Sequence, residues 1–206
     1  MVQDRNQKLI KWRAVFAESA FIGASILIAF ALQDWDEGKD IEERTLIALC
    51  NVKLELAYNR TLLKKDYIPR QKGMLAVIKG ATAFMNSQAN GEPPQTNLEQ
   101  MLMQESLRYS AWTLAGESGY LLHANFELAT DIGALFDYQE DRYQSILSRV
   151  NNAVFNRNKA LRDDPVEYYI SLNELISEWI AQTNFLEQKY EALFARPDFI
   201  ALECKE

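Results

Sequence analysis

The run from Ala14 to Leu32, AVFAESAFIGASILIAFAL, carries a single charge, and it constrains the chain more than any other feature. Nineteen helical residues extend about 28 Å, close to the roughly 30 Å of a bilayer's hydrocarbon core. Its uncharged part, Ser19 to Leu32, is shorter, so the flanks decide the reading. Arg5, Lys8, Lys11 and Arg13 precede the run, whereas Asp34, Asp36, Glu37, Asp40, Glu42 and Glu43 follow it, diluted by Lys39 and Arg44. Positive charge stays on the cytoplasmic side, which places residues 1–13 inside, a transmembrane helix at 14–33, and residues 34–206 outside. Trp12 and Trp35 fall at the two ends, where an indole prefers the headgroup region. Two rival readings share this layout. One is a cleaved signal peptide with Ala29-Phe30-Ala31 at its cleavage site, and the other is a buried helix of a water-soluble fold.

Within the expected span Glu18 stands about one turn from the cytoplasmic boundary. A carboxylate at that depth is a functional suspect, although snorkelling toward the interface near Arg13 is the plainer account. Ser19-x-x-x-Gly23 and Ala20-x-x-x-Ala24 form a small-residue stripe that would let a second helix approach. Glu18, Ser19 and Gly23 are therefore the candidate contacts for another membrane protein or a second copy.

Charge is unevenly spread. Residues 1–33 sum to +2, and the remainder, with 18 basic and 27 acidic groups, to −9. An acidic exterior repels nucleic acid, so no nucleic-acid partner is expected. Glycine (8) and proline (5) are scarce in 206 residues, which favours long helices.

The pattern Glu18-x7-Ile26-Leu27-Ile28-Ala29-x5-Trp35-x-Glu37 resembles the signature of a family of uncharacterised bacterial proteins with one N-terminal span. The likeness continues at Glu55-Leu56-x-x-Asn59 on the first external helix, and at Ala111-Trp112-x5-Ser118-Gly119. Ser25, Phe30 and the aspartates around Trp35 depart from the family's usual residues. The resemblance implies a signal-anchored helical domain in the bacterial inner membrane, with the N-terminus cytoplasmic and the C-terminal domain periplasmic. It carries no activity and no catalytic residues.

Past Trp35 the periodicity predicts a helix to about Lys65, with Leu49, Val52, Leu56, Asn59 and Leu63 on one stripe and Pro69 interrupting it. A second helix is expected from Arg70 to Met85, with Met74, Val77, Ile78 and Ala81 on one side, and a loop over residues 86–96. Thr96 or Asn97 would cap a short helix. Residues 108–124 read as irregular, bent at Gly116 and Gly119. A long helix is expected from Asn125 to Asn158, on Leu128, Ile132, Leu135, Tyr143, Ile146, Val150 and Val154. Another starts at Asp164-Pro165 and ends near Phe194, on Tyr169, Leu172, Leu175, Ile176, Trp179, Leu186, Tyr190 and Leu193. The fold class is thus all-α, a transmembrane helix followed by an antiparallel bundle of about four main helices.

The sequence offers no reactive constellation. The one histidine, His123, has Tyr120 three residues before it, so the Glu-x-x-His pair of di-iron bundles is absent. Ser118 has no base other than His123, five residues away. Asp137, Glu140 and Asp141 read as a solvated face. No phosphate loop or nucleophile elbow is present, and no cofactor or metal is expected. Trp112 and Tyr120 are a candidate docking patch, since both residue types are enriched at interfaces. Cys50 and Cys204 either form a disulfide, should the last helix return to the base of the first, or remain two free thiols, the plainer reading. Two functions stay open: a non-catalytic accessory or scaffold subunit of an inner-membrane assembly, and an extracytoplasmic sensory or ligand-binding bundle.

Overall fold

The computed structural model describes residues 3–87, 97–102 and 105–204, with side chains apart from those of 3–15, 17, 158 and 159. Among the described residues every regular element is helical: α1 (Gln3–Leu62), α2 (Ile68–Asn86), α3 (Leu98–Met101), α4 (Ser110–Glu117), α5 (Phe126–Asp137), α6 (Gln144–Phe155), α7 (Arg157–Asp163), α8 (Pro165–Phe194) and α9 (Pro197–Ile200). π-Helical turns cover Leu63–Tyr67 and Tyr138–Tyr143, and a 3₁₀ turn covers Tyr120–His123. The chain divides into residues 1–45 and residues 46–206.

In the first unit, Phe16, Phe21, Ile22, Ile26, Leu27, Ile28, Phe30 and Leu32 are each at least 50% exposed. Among the described residues no helix is long and apolar enough to cross a membrane. Ala14, Val15 and Ala17 of the expected span lie outside the described side chains. By length and apolarity, therefore, the transmembrane assignment of 14–33 is not supported among the described residues.

The second unit has four legs, and their identity corrects the sequence expectation. The expected helices on either side of Pro69 are one continuous leg. Proline lacks the N–H that would bond four residues back, and the π turn takes up the slack, with the Ile68 amide donating to the Leu63 carbonyl. Buried positions mark the adjustment. They run Leu49, Val52, Leu56, Asn59, Leu63 at alternating steps of three and four, then Tyr67 and Gln71 at two consecutive fours, then Met74, Ile78 and Ala81. The third leg does the same: Leu135, Gln139 and Tyr143 are two fours apart across the second π turn. A repeated four advances the seam beyond the heptad, and the wider π turn absorbs it.

The second leg is instead formed by residues 98–102 and 105–124, which descend in short pieces. Arg157 meets Glu99 at 3.4 Å, the Tyr67 hydroxyl donates to the Glu105 carbonyl at 2.7 Å, and Arg108 pairs with Asn59. Gly119, at φ 76°, turns the leg at its foot. There Asn125 caps α5, accepting from the Leu128 amide at 3.0 Å, and the third leg rises beside the first, Tyr67 and Tyr143 lying 6.0 Å apart. Asp164 then caps α8 as expected, with Pro165 in its first turn. The fourth leg descends antiparallel to the first: Gln71 meets Thr183 at 2.6 Å and Arg60 meets Glu191 at 2.8 Å. Its seam of Leu172, Ile176, Trp179, Thr183, Leu186, Tyr190 and Leu193 is an unbroken alternation of four and three.

Asn97 flanks α3 but makes no side-chain cap bond, and Thr96 lies outside the described residues, as does most of the expected loop. Pro197 stands in the first turn of α9.

Candidate functional site

A leg that is only partly helical leaves backbone amides and carbonyls that its neighbours must satisfy. This need organises the most elaborate polar cluster of the second unit. Glu55, 8% exposed on α1, accepts hydrogen bonds from the Ser110 hydroxyl (3.0 Å), the Ala111 amide (3.0 Å) and the Trp112 amide (3.4 Å). These are the free donors of the first turn of α4, whose own flanking residue, Tyr109, supplies no side-chain cap. A carboxylate there also faces the positive end of the helix. One turn further along α1, Asn59 clamps Arg108 through both backbone groups, donating to its carbonyl at 2.7 Å and accepting from its amide at 2.8 Å. Gln139 donates to the same carbonyl at 3.0 Å and accepts from the Tyr190 hydroxyl at 2.7 Å. The two external motifs singled out in the sequence, Glu55-Leu56-x-x-Asn59 and Ala111-Trp112, therefore meet in space.

Above this clamp lies a buried aromatic layer. Tyr67, Tyr143 and Trp179 pack together, with Tyr67–Trp179 centroids 6.4 Å apart. The Trp179 indole donates to the Tyr143 hydroxyl at 3.2 Å, which lies 3.2 Å from the Thr183 hydroxyl. Thr183 in turn donates to the Trp179 carbonyl and accepts from the Gln71 amide. Sequence periodicity passes over Gln71, Gln139 and Thr183 because they are polar, yet steps of three and four from neighbouring apolar positions place each on a buried seam.

Burial raises the Tyr67 and Tyr168 hydroxyls to about 12, and holds Tyr143 and Tyr190 well above the ordinary tyrosine value. In the unfolded chain these groups ionise near 10, so the unfolded state loses protons first. Their contribution is complete below pH 10 and lost as pH rises toward and past 12. Thermal melts should show a falling midpoint from about pH 10 upward, with tyrosinate absorbance rising together with unfolding. Release of all tyrosine protons near pH 10 from an intact fold would refute it.

Cys50 and Cys204 are joined by a disulfide, their Cα atoms 5.4 Å apart, so the plainer reading of free thiols gives way. Lys53 supports the same tail, donating to the carbonyls of Phe199 (2.9 Å), Ile200 (3.4 Å) and Leu202 (3.2 Å). These acceptors belong to α9 and the residues just beyond it, where a cation complements the helix dipole.

Glu18 and Ser19 are exposed on α1, and a methyl group on Gly23 would meet nothing within 4 Å. Trp112 is half-buried, its ring stacked on Phe136 at 5.4 Å and lying against Gly133. Tyr120 is also half-buried. The exposed apolar groups of the same region are Leu114, Leu122 and Phe126 at 67%, 87% and 82%. His123 is exposed beside them. Among the described residues no group of histidine, cysteine and carboxylate side chains is placed to hold a metal ion. An open groove of about 470 Å³ runs between α6 and α8, lined by Arg149, Asn152, Ser171, Glu174, Leu175 and Glu178. Comparison with protein-family models, curated proteins and solved structures finds no match for the chain.

Proposed function

We propose that the chain is a membrane-anchored, non-catalytic interaction protein: an accessory or scaffold subunit of a bacterial inner-membrane assembly, with residues 34–206 in the periplasm. The carrying observation is the exposed apolar surface of α1 between Phe16 and Leu32. Ile26, Leu27 and Ile28 are consecutive, so they point to different sides of the helix, and all three are exposed. A surface apolar on every side matches lipid or partner helices rather than water, at about 1.5–3 kcal/mol for each large side chain removed from water. The Ser25 hydroxyl donates to the Phe21 carbonyl at 2.8 Å, which satisfies it without solvent. The disulfide suits an oxidising compartment. The buried polar groups described above are engaged in holding legs together, which is what a rigid docking body requires.

The protein should stay with membranes through an alkaline carbonate wash. Leu27→Arg, which adds about 3 kcal/mol to insertion at mid-depth, should release a large share of it. Wild-type protein that washes off would end the anchored reading. Purification in mild detergent should bring a stoichiometric partner. A chain that purifies alone yet gains thermal stability from a small molecule would replace the accessory subunit with the sensory bundle.

A further inference from the structure

We infer that the corner between α4 and α5 is the docking surface for a partner, and that the partner presents a basic amphipathic segment. This deepens the accessory-subunit reading and rests on it. Leu114, Leu122 and Phe126 fall within thirteen residues around the turn at Gly119, and each is at least two-thirds exposed. Three large apolar groups this open, beside the well-buried Leu128 and Ile132, are unused by the bundle.

Charge selects the occupant. From Tyr109 to Asp141 the chain contains no lysine or arginine, but six carboxylates: Glu117, Glu127, Asp131, Asp137, Glu140 and Asp141. All six are exposed. Asp131 is paired with Arg196, whereas the other five form no ion pair among the described residues. Apolar anchors with unpaired Glu117 and Glu127 within three residues of Leu114 and Phe126, on a leg that carries further carboxylates, complement a helix with leucine-like residues on one face and lysine or arginine on the other. An anionic lipid surface is repelled by the same carboxylates, and so is a second copy presenting this acidic corner.

The test uses the full chain in phosphatidylcholine nanodiscs, with empty discs as blank. The probes are an amphipathic helical peptide of leucine and lysine and its leucine–glutamate counterpart. The lysine peptide should bind, more weakly as salt rises, and the glutamate peptide should not. Combining Leu122→Ser with Phe126→Ser should weaken binding at least about tenfold, since exposed apolar anchors carry most of an interface's energy. Phe155→Ser, at a phenylalanine 59% exposed at the end of α6, should change nothing. Equal binding of both peptides, or equal loss from Phe155→Ser, overturns the inference. Purification of the double variant in mild detergent separates the two claims. A partner that remains on it leaves the accessory reading standing and removes this surface. Wild-type protein that purifies alone ends the accessory reading, and the inference falls with it.

Discussion

Replacing Cys50 and Cys204 together by serine should cost the protein about 5 kcal/mol of folding stability. The two cysteines are 154 residues apart, so the bond closes a loop that contains all four legs. In the chain-entropy account, opening a loop of that length returns about 5 kcal/mol of conformational freedom to the unfolded ensemble. Lys53 would still hold the tail carbonyls, so the native state should keep its shape while the unfolded state gains. Denaturant unfolding of the oxidised wild type and the double variant measures the difference, and reduction of the wild type should reproduce it. Coincident unfolding curves would show that the bond contributes nothing. A loss of about 5 kcal/mol is a large part of the 5–15 kcal/mol that a domain of this kind possesses.

Glu55→Ala should be nearly as damaging, at about 2–4 kcal/mol. It leaves the Ala111 and Trp112 amides and the Ser110 hydroxyl without their acceptor, at a half-buried site whose carboxylate is itself buried. Glu55→Gln keeps an acceptor oxygen but loses the charge that faces the helix end, so it should cost clearly less. Amide exchange distinguishes this from a general loss of packing. The Ala111 and Trp112 amides should exchange far faster in Glu55→Ala than amides of α8, and the tryptophan signal from the Trp112–Phe136 stack should change. Uniform acceleration across the unit, or none, would defeat the capping account.

Much of this architecture was legible beforehand. The apolar positions of α5, α6 and α8 follow almost in full from spacing, and the cap at Asp164 from local chemistry within one turn. The continuity of α1 with α2 was missed because proline is ordinarily a stop. The signal was nonetheless present, in the doubled step of four from Leu63 to Gln71. Residues 98–102 and 105–124 as a full leg were illegible for a different reason. A partly helical segment has no period of its own, and its place is fixed by acceptors and donors on other legs.

Length, charge asymmetry and apolar periodicity thus determined by themselves that the chain is helical, where three of its legs bury their seams, and which stretch is apolar on all sides. Tertiary structure alone decided that Glu55 and Asn59 hold a distant backbone and that Cys50 reaches Cys204. It also decided that Trp112 packs inward while Leu122 and Phe126 face out. The division follows from range. A helix records its buried face every three or four residues, whereas a clamp, a disulfide or an open surface depends on groups far apart in the chain, whose meeting no local pattern records.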